Sequence, residues 1–353
     1  MTRELKSARV EVPDSLEAVY DLSLQERWGD GLPIVPPTEE RVNHFLERLG
    51  RDPGEVIGKV GPLYEEATVE NIVVNCVAAG CRPEYVPVVI AAVEAMIQPE
   101  FYLWGVQGTS STLSPVAIIN GPIRQELNIN SGHNCLGQGW RANATIGRAI
   151  RLILNNIGGG IPGDIDKATL GQPAKYTFCF GENEEASPWE PLHVERGFSP
   201  EQSTVTMHSS YGVYSLKPMV AQRSESWAPL IADAIMMKGG CGWPFAANEE
   251  SGPIAIVTPA VAQTWAQTDG LSKRQAKEII WQNAWFNADE LHPDLIEHTG
   301  RALVVDGKIR CCHQPEDIML VVAGAGIRYH AIVLQTGFGN ARPVTKAINP
   351  IKG

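Results

Sequence analysis

The chain has 353 residues, 44% of them hydrophobic and 20% charged, enough apolar material for a substantial core divided between two domains. Its net charge is -11 and no run of Lys or Arg exceeds the pair Lys273 and Arg274, so nucleic acid is excluded as a partner. The seven cysteines are odd in number and form no C-x-x-C pair, which excludes a disulfide framework or a zinc ribbon.

The opening MTRELKSARVEVPDS contains no apolar stretch of the secretory kind, and about 20 uninterrupted apolar residues occur nowhere. The expected location is the cytoplasm, with no membrane partner. A helix from about Ser15, capped by Asp14 or Ser15, breaks at GDGLPIVPP (29–37), and a second begins at Thr38. Residues 1–60 read as an N-terminal helical arm or lid. TVENIVVNCVAAG (68–80) has apolar residues at helical spacing and stops at Gly80. Cys81 and Arg82 bridge it to PEYVPVVIAAVEAMI (83–97), where Pro83 suits a first helical position.

From residue 114 one succession is written twice. The first copy is SPVAIINGPIRQELNINSG (114–132), RANATIGRAIRLILNNIGGG (141–160) and AKYTFCFGENEE (174–185). The second is GPIAIVTPAVAQTWAQTDG (252–270), SKRQAKEIIWQNAWF (272–286) and EDIMLVVAGAGI (316–327). Each reads as a buried strand, a helix closed by Gly132 or Gly270, a second helix and another strand. The pattern predicts an α/β fold of two related halves with a cleft between them. The first half occupies 61–200, and the crossover (187–223) and second half occupy 201–353. Gly80-Cys81 and Gly240-Cys241 hold matching positions upstream of the copies. Between its helices the first copy inserts HNCLGQGW (133–140), where the second has only Leu271. A fold has no need of that loop, so it is a candidate for function.

Cys81 is one candidate nucleophile. A thiol ahead of a helix start faces free N–H groups and a positive dipole end, and Arg82 adds charge. A small-residue corner is the plain alternative. The inserted loop offers Cys135 as a second thiol and His133 as an acid or base, with a hydrogen-bonded structural role as the alternative for the histidine. Gly139 lets the backbone approach a ligand, Arg141 at the following helix start could grip a carboxylate with two prongs, and Asn143 could orient it. A Gly-rich turn in which Arg141 bridges the halves is the alternative. Glu182 and Asn183 fall at a strand's carboxyl end, where ligands gather in α/β sheets, making Glu182 a candidate acid or base. Glu190, His193 and Glu195 supply oxygen and nitrogen donors for a divalent metal, at no standard spacing; a solvated loop is the alternative. Thr109 belongs to a polar loop or to a cleft wall, and Arg328 and His330 follow the second copy's last strand, facing the same cleft. The adjacent Cys311 and Cys312 are expected to point apart.

The blocks WGDGLPIVPPTEERV (28–42), AAGCRPEYVPVVIAAVEAM (78–96), GWRANATIGRAIRLILNNIGG (139–159) and FGENEEASPWEPLHVERGF (180–198) resemble those of an uncharacterised bacterial family of soluble α/β proteins. The resemblance covers most of the first 200 residues. It implies a self-standing cytoplasmic protein and brings no mechanism with it.

Taken together, the residues predict an enzyme acting on a small carboxylate-bearing or anionic metabolite, a hydrolase or lyase using Cys81 or Cys135 as nucleophile and His133 or Glu182 to move protons. Substrate contacts are assigned to Arg141, Asn143, Gly139, Thr109, Asn183 and Arg328. One alternative is iron-sulfur or metal-dependent lyase or redox chemistry, with Cys81, Cys135 and Cys241 converging on a cluster. The other is a non-catalytic small-molecule-binding subunit. Cofactor, oligomeric state and any partner subunit stay open at this stage.

Overall fold

The computed structural model describes residues 5–221, 223–245, 251–298, 302–336, 338 and 340–351. Residues 1–4 of the expected arm lie outside them. Helix α1 (Leu16–Gln25) starts at Ser15, whose hydroxyl accepts the Ala18 N–H, and α2 (Glu39–Leu49) starts at Thr38, which accepts the Arg41 N–H. Each cap gives one otherwise orphaned donor a partner. The antiparallel hairpin β1 (Val56–Val60) and β2 (Glu65–Thr68) leads into α3 (Val69–Ala79), which ends on Gly80 at φ 85°. A 3₁₀ turn (Pro83–Tyr85) intervenes before α4 (Val86–Met96), so the α-helix begins three residues beyond the predicted Pro83. Helix α5 (Leu103–Gly108) precedes β3 (Ser114–Asn120), α6 (Ile123–Glu126), α7 (Arg141–Asn156), β4 (Cys179–Gly181) and α8 (Leu192–Glu195). Strands β5 (Thr204–Ser210) and β6 (Val213–Leu216) and helix α9 (Ser224–Ile235) follow. After them come β7 (Ile254–Val257), α10 (Pro259–Gln263) and α11 (Lys273–Asn283). A small antiparallel sheet of β8 (Trp285–Asn287), β9 (Leu303–Val305) and β10 (Lys308–Arg310), ordered β8-β10-β9, separates α11 from β11 (Met319–Val322), β12 (Ala331–Leu334) and β13 (Val344–Ala347).

Both segments that the sequence marks as copies run strand, helix, helix, strand. Their strands lie in two separate four-stranded sheets, ordered β13-β5-β3-β4 and β6-β12-β7-β11. In each, the strand pair from the copies is parallel and the other two pairings are antiparallel. The outermost strands are exchanged. β6 follows β5 in the chain yet joins the second sheet, and β13 follows β12 yet joins the first.

Because alternate strand residues face opposite sides, the buried clusters reveal the layers. Ala117, Ile119, Val205 and Met207 pack with α3, α4 and α7 in one core. Ala255, Val257, Leu320, Val322 and Val333 pack with α9 and α11 in another. The intervening residues Val116, Ile118, Phe180, Ile254, Ile256, Met319, Val321 and Leu334 form a third cluster between the sheets. The fold is therefore mixed α/β in four layers: helices, sheet, sheet, helices.

Several expected boundaries shift. Val42, Phe45 and Leu46 of α2 belong to the first core, and the β1–β2 hairpin straddles residue 60, so no arm separates there. The segment expected as a crossover contains β5, a central strand of the first sheet with all seven residues buried. Its sequence TVTMHSS hides this because Thr204, Thr206, His208 and Ser210 share the inter-sheet face with Asn120, Ile118, Val116 and Ser114. Apolar periodicity misses a strand whose inward face is polar.

Candidate functional site

The inserted loop does not hang free in solvent; it lies against the second half. Gly324 donates its N–H to the Ser131 carbonyl at 2.8 Å, and the Asn183 N–H donates to the Val322 carbonyl at 2.7 Å. Inside the loop, the Asn143 side chain works as a brace from the first turn of α7. Its Oδ1 accepts the Asn130 N–H at 2.8 Å, while its Nδ2 donates to the carbonyls of Asn130 (3.0 Å) and Cys135 (3.3 Å). Asn130 extends the brace by donating to the His133 carbonyl and accepting the Gly132 N–H, both at 2.8 Å.

This bracing holds Cys135 at the wall of a cavity of about 350 Å³. The opposite wall comes from the second sheet: Ile256 and Thr258 at the end of β7, Ala323 and Gly324 after β11, and Ile327, His330 and Ile332 around the start of β12. A cavity at the carboxyl ends of two parallel strands is where α/β sheets bind ligands. Thr258 donates its hydroxyl to the Ile327 carbonyl at 2.6 Å, which fixes the turn carrying His330. Burial pushes the Cys135 thiol up to about 11, although the backbone N–H groups of Cys135, Gly324 and Leu136 face the sulfur and favour its anion. Arg328 is exposed between Ile327 and His330, and no described residue pairs with its guanidinium.

A larger groove of about 590 Å³, bordered by Glu47, Arg51, Pro87 and Glu94, contains neither a thiol nor a histidine. We place the candidate site at the smaller cavity because a thiol and an imidazole both line it.

The remaining expected site residues are distributed elsewhere. Cys81 is buried in the first core and donates its thiol to the Thr145 carbonyl at 3.3 Å, so it caps packing rather than a helix start. Arg141 donates to the carbonyls of Gly80 (3.0 Å) and Cys81 (3.3 Å), closing the carboxyl end of α3 instead of holding an anion beside Cys135. It borders a separate hollow with Arg82, Tyr85 and Asn128. His133 is exposed and outside the cavity wall, as is Gly139, whose φ of 120° turns the chain into α7. Thr109 accepts the Ser111 N–H at 3.0 Å and does not line the cavity.

Glu182 is completely buried. Its Oε2 accepts Asn120 Nδ2 at 2.6 Å and the Leu192 N–H at 2.7 Å, and burial raises its pKa. Among the described residues no group of three or more His, Cys, Asp or Glu side chains could hold a metal ion. The expected metal set is drawn apart. Glu190 is exposed, His193 is buried with Nδ1 4.0 Å from Glu184, and Glu195 joins Lys273 (2.8 Å) and Lys277 (2.5 Å). Burial pushes the Glu195 carboxyl up, but the two ammonium groups outweigh it and hold the pKa low. Cys81, Cys135 and Cys241 are likewise separated, between the first core, the inter-sheet layer and an exposed loop.

Sequence reasoning did not single out Thr258, Asn120, Lys273 or Lys277. Register supplies the signal for the first two, since Asn120 ends β3 and Thr258 directly follows β7. The lysines sit at helical spacing on an amphipathic helix, where charged residues read as its solvated face.

No family model matches the chain, and neither does any curated protein.

Proposed function

We propose that the chain is an enzyme, a hydrolase or lyase, acting on a small substrate in the cavity between the inserted loop and the second sheet. Cys135 is the nucleophile, His330 takes its proton, and Arg328, exposed on the turn that leads to His330, meets a carboxylate or other anion. One observation carries the reading: a braced cysteine and a histidine share the wall of a single cavity. The mostly apolar lining suits a compact hydrocarbon body with one polar end. The Leu136 N–H that faces the sulfur is also placed to favour an oxyanion forming beside it, the Gly324 and Cys135 N–H groups being held by the Ser131 and Gly132 carbonyls.

We further read the two halves as a pseudo-repeat, in the fold class already expected. Continuing the paired registers by one residue aligns Thr258, Ala323 and His330 of the open cavity with Asn120, Glu182 and Thr204 of the first half. There the equivalent space is filled by Leu192 and His193, and Leu192 binds Glu182 directly. On this reading Glu182 is a closed counterpart, and catalysis belongs to the second half alone. Kinship with the bacterial family named by the sequence blocks, and a cytoplasmic location, belong to the same proposal. Among the described residues no single helix is long and apolar enough to cross a membrane.

The raised thiol favours a second reading, a non-catalytic small-molecule-binding subunit. With a pKa of about 11, only about one thiol in 10,000 is ionised at pH 7 unless a base assists. Iodoacetamide alkylation followed site by site separates the readings. If His330 assists, Cys135 labels at neutral pH, His330→Gln slows it at least tenfold, and a small carboxylate protects it. If the cavity only binds, the Cys135 rate rises about tenfold per pH unit from 7 to 10 and is the same in His330→Gln. Protection of Cys241 rather than Cys135 would refute the site itself.

A further inference from the structure

The adjacent cysteines that sequence reasoning expects to point apart do the opposite: Cys311 Sγ and Cys312 Sγ are 3.3 Å apart. They sit between β10 and β11. Cys311 donates its N–H to the Ala284 carbonyl at 3.3 Å, and the Cys312 carbonyl accepts Trp281 Nε1–H at 3.1 Å. Both are buried, Cys312 fully and Cys311 to 5% exposure, but the exposed residues His313 and Gln314 follow at once. Facing the pair are Lys277 and Asp317, and Cys312 also directs its thiol to the Gln314 carbonyl at 3.4 Å. A structural role for two such thiols requires only small apolar groups. Two sulfurs already in contact, beside a surface turn, are placed to join, although the neighbouring Cys311 and burial hold the Cys312 thiol well above its ordinary value.

We propose that Cys311 and Cys312 are a thiol-disulfide exchange site that takes low-molecular-weight disulfides and closes to an intrachain ring. The more accessible Cys311, as thiolate, attacks one sulfur of the incoming disulfide. A bond forms between Cys311 and that sulfur, and the other half leaves as a thiolate. Cys312 then loses its proton and attacks Cys311 Sγ, expelling the second thiolate. The pair gives up two electrons and two protons in total, and the disulfide is reduced to two thiols. The effect reaches α11, because Trp281 is anchored on the Cys312 carbonyl and stacked by Arg310 at 4.4 Å.

The test uses the full, reduced chain incubated with oxidised glutathione and analysed by intact mass and peptide mapping. The expected product has lost two hydrogens, located to the peptide containing both cysteines. Dithiothreitol reverses it, and the accompanying change in tryptophan fluorescence is absent from Trp281→Phe. Cys312→Ser should stop at a glutathione adduct on Cys311. If that variant does not fold, the wild-type map decides alone. The proposal is overturned if Cys311 and Cys312 both remain alkylatable after Cys241 has been fully modified. A two-hydrogen loss mapped to Cys76 and Cys81 overturns it equally.

Discussion

Asn143 gives the sharpest test of how the candidate site is built. Its side chain is 4% exposed and engages three backbone groups, the Asn130 N–H, the Asn130 carbonyl and the Cys135 carbonyl. Asn143→Ala removes every partner at once and admits no water without opening the loop. Each orphaned buried group costs about 1–3 kcal/mol, and partial relaxation of the loop recovers some of this, so the net loss should be about 3–5 kcal/mol. That is a large part of the roughly 5–15 kcal/mol available to a folded domain. Asn143→Asp keeps the acceptor for Asn130 N–H but turns a carboxylate on two carbonyl oxygens, and should cost at least as much at pH 7. Urea unfolding measures the stability, and site-resolved alkylation measures whether Cys135 becomes more accessible as its brace is lost. A loss below about 1 kcal/mol in Asn143→Ala, with Cys135 reactivity unchanged, would refute the bracing role. If stability held while affinity for a small carboxylate collapsed, Asn143 would be the substrate contact that its sequence position suggested.

Two further outcomes concern His208 and Arg141. Burial between the sheets, with Arg196 adding repulsion, depresses the His208 pKa to about 3, so the unfolded chain takes up a proton below about pH 6.5 while the native one does not. Stability is then present above pH 6.5 and lost on acidification, by about 2 kcal/mol at pH 5; unfolding midpoints should fall accordingly, and His208→Gln should flatten the slope between pH 7 and 5. Arg141→Lys should lower stability by about 1 kcal/mol through its lost contacts with the Gly80 and Cys81 carbonyls, yet leave ligand protection of Cys135 intact; loss of protection would return Arg141 to the site.

Local chemistry fixed much of the architecture in advance. The helix starts at Thr38 and Ser272, the stop at Gly80, and the strand, helix, helix, strand order of both segments follow from caps, glycines and apolar spacing, which act over a few residues. Comparing the two segments also exposed the loop carrying Cys135 as an addition, and placed His330 after the matching strand. Only the tertiary structure decided what those residues face. Cys81 and Arg141 have the sequence context of an activated thiol and an anion grip, but the α3–α4 corner packs tightly and consumes both. Glu182 stands directly after a strand, and the N–H of Leu192, ten residues on, donates to its carboxylate. The exchange of β6 and β13 between sheets, and the polar inward face of β5, depend on pairings between residues up to 143 positions apart. No short-range pattern encodes such pairings, because their free energy comes from surfaces that meet only after the chain has folded.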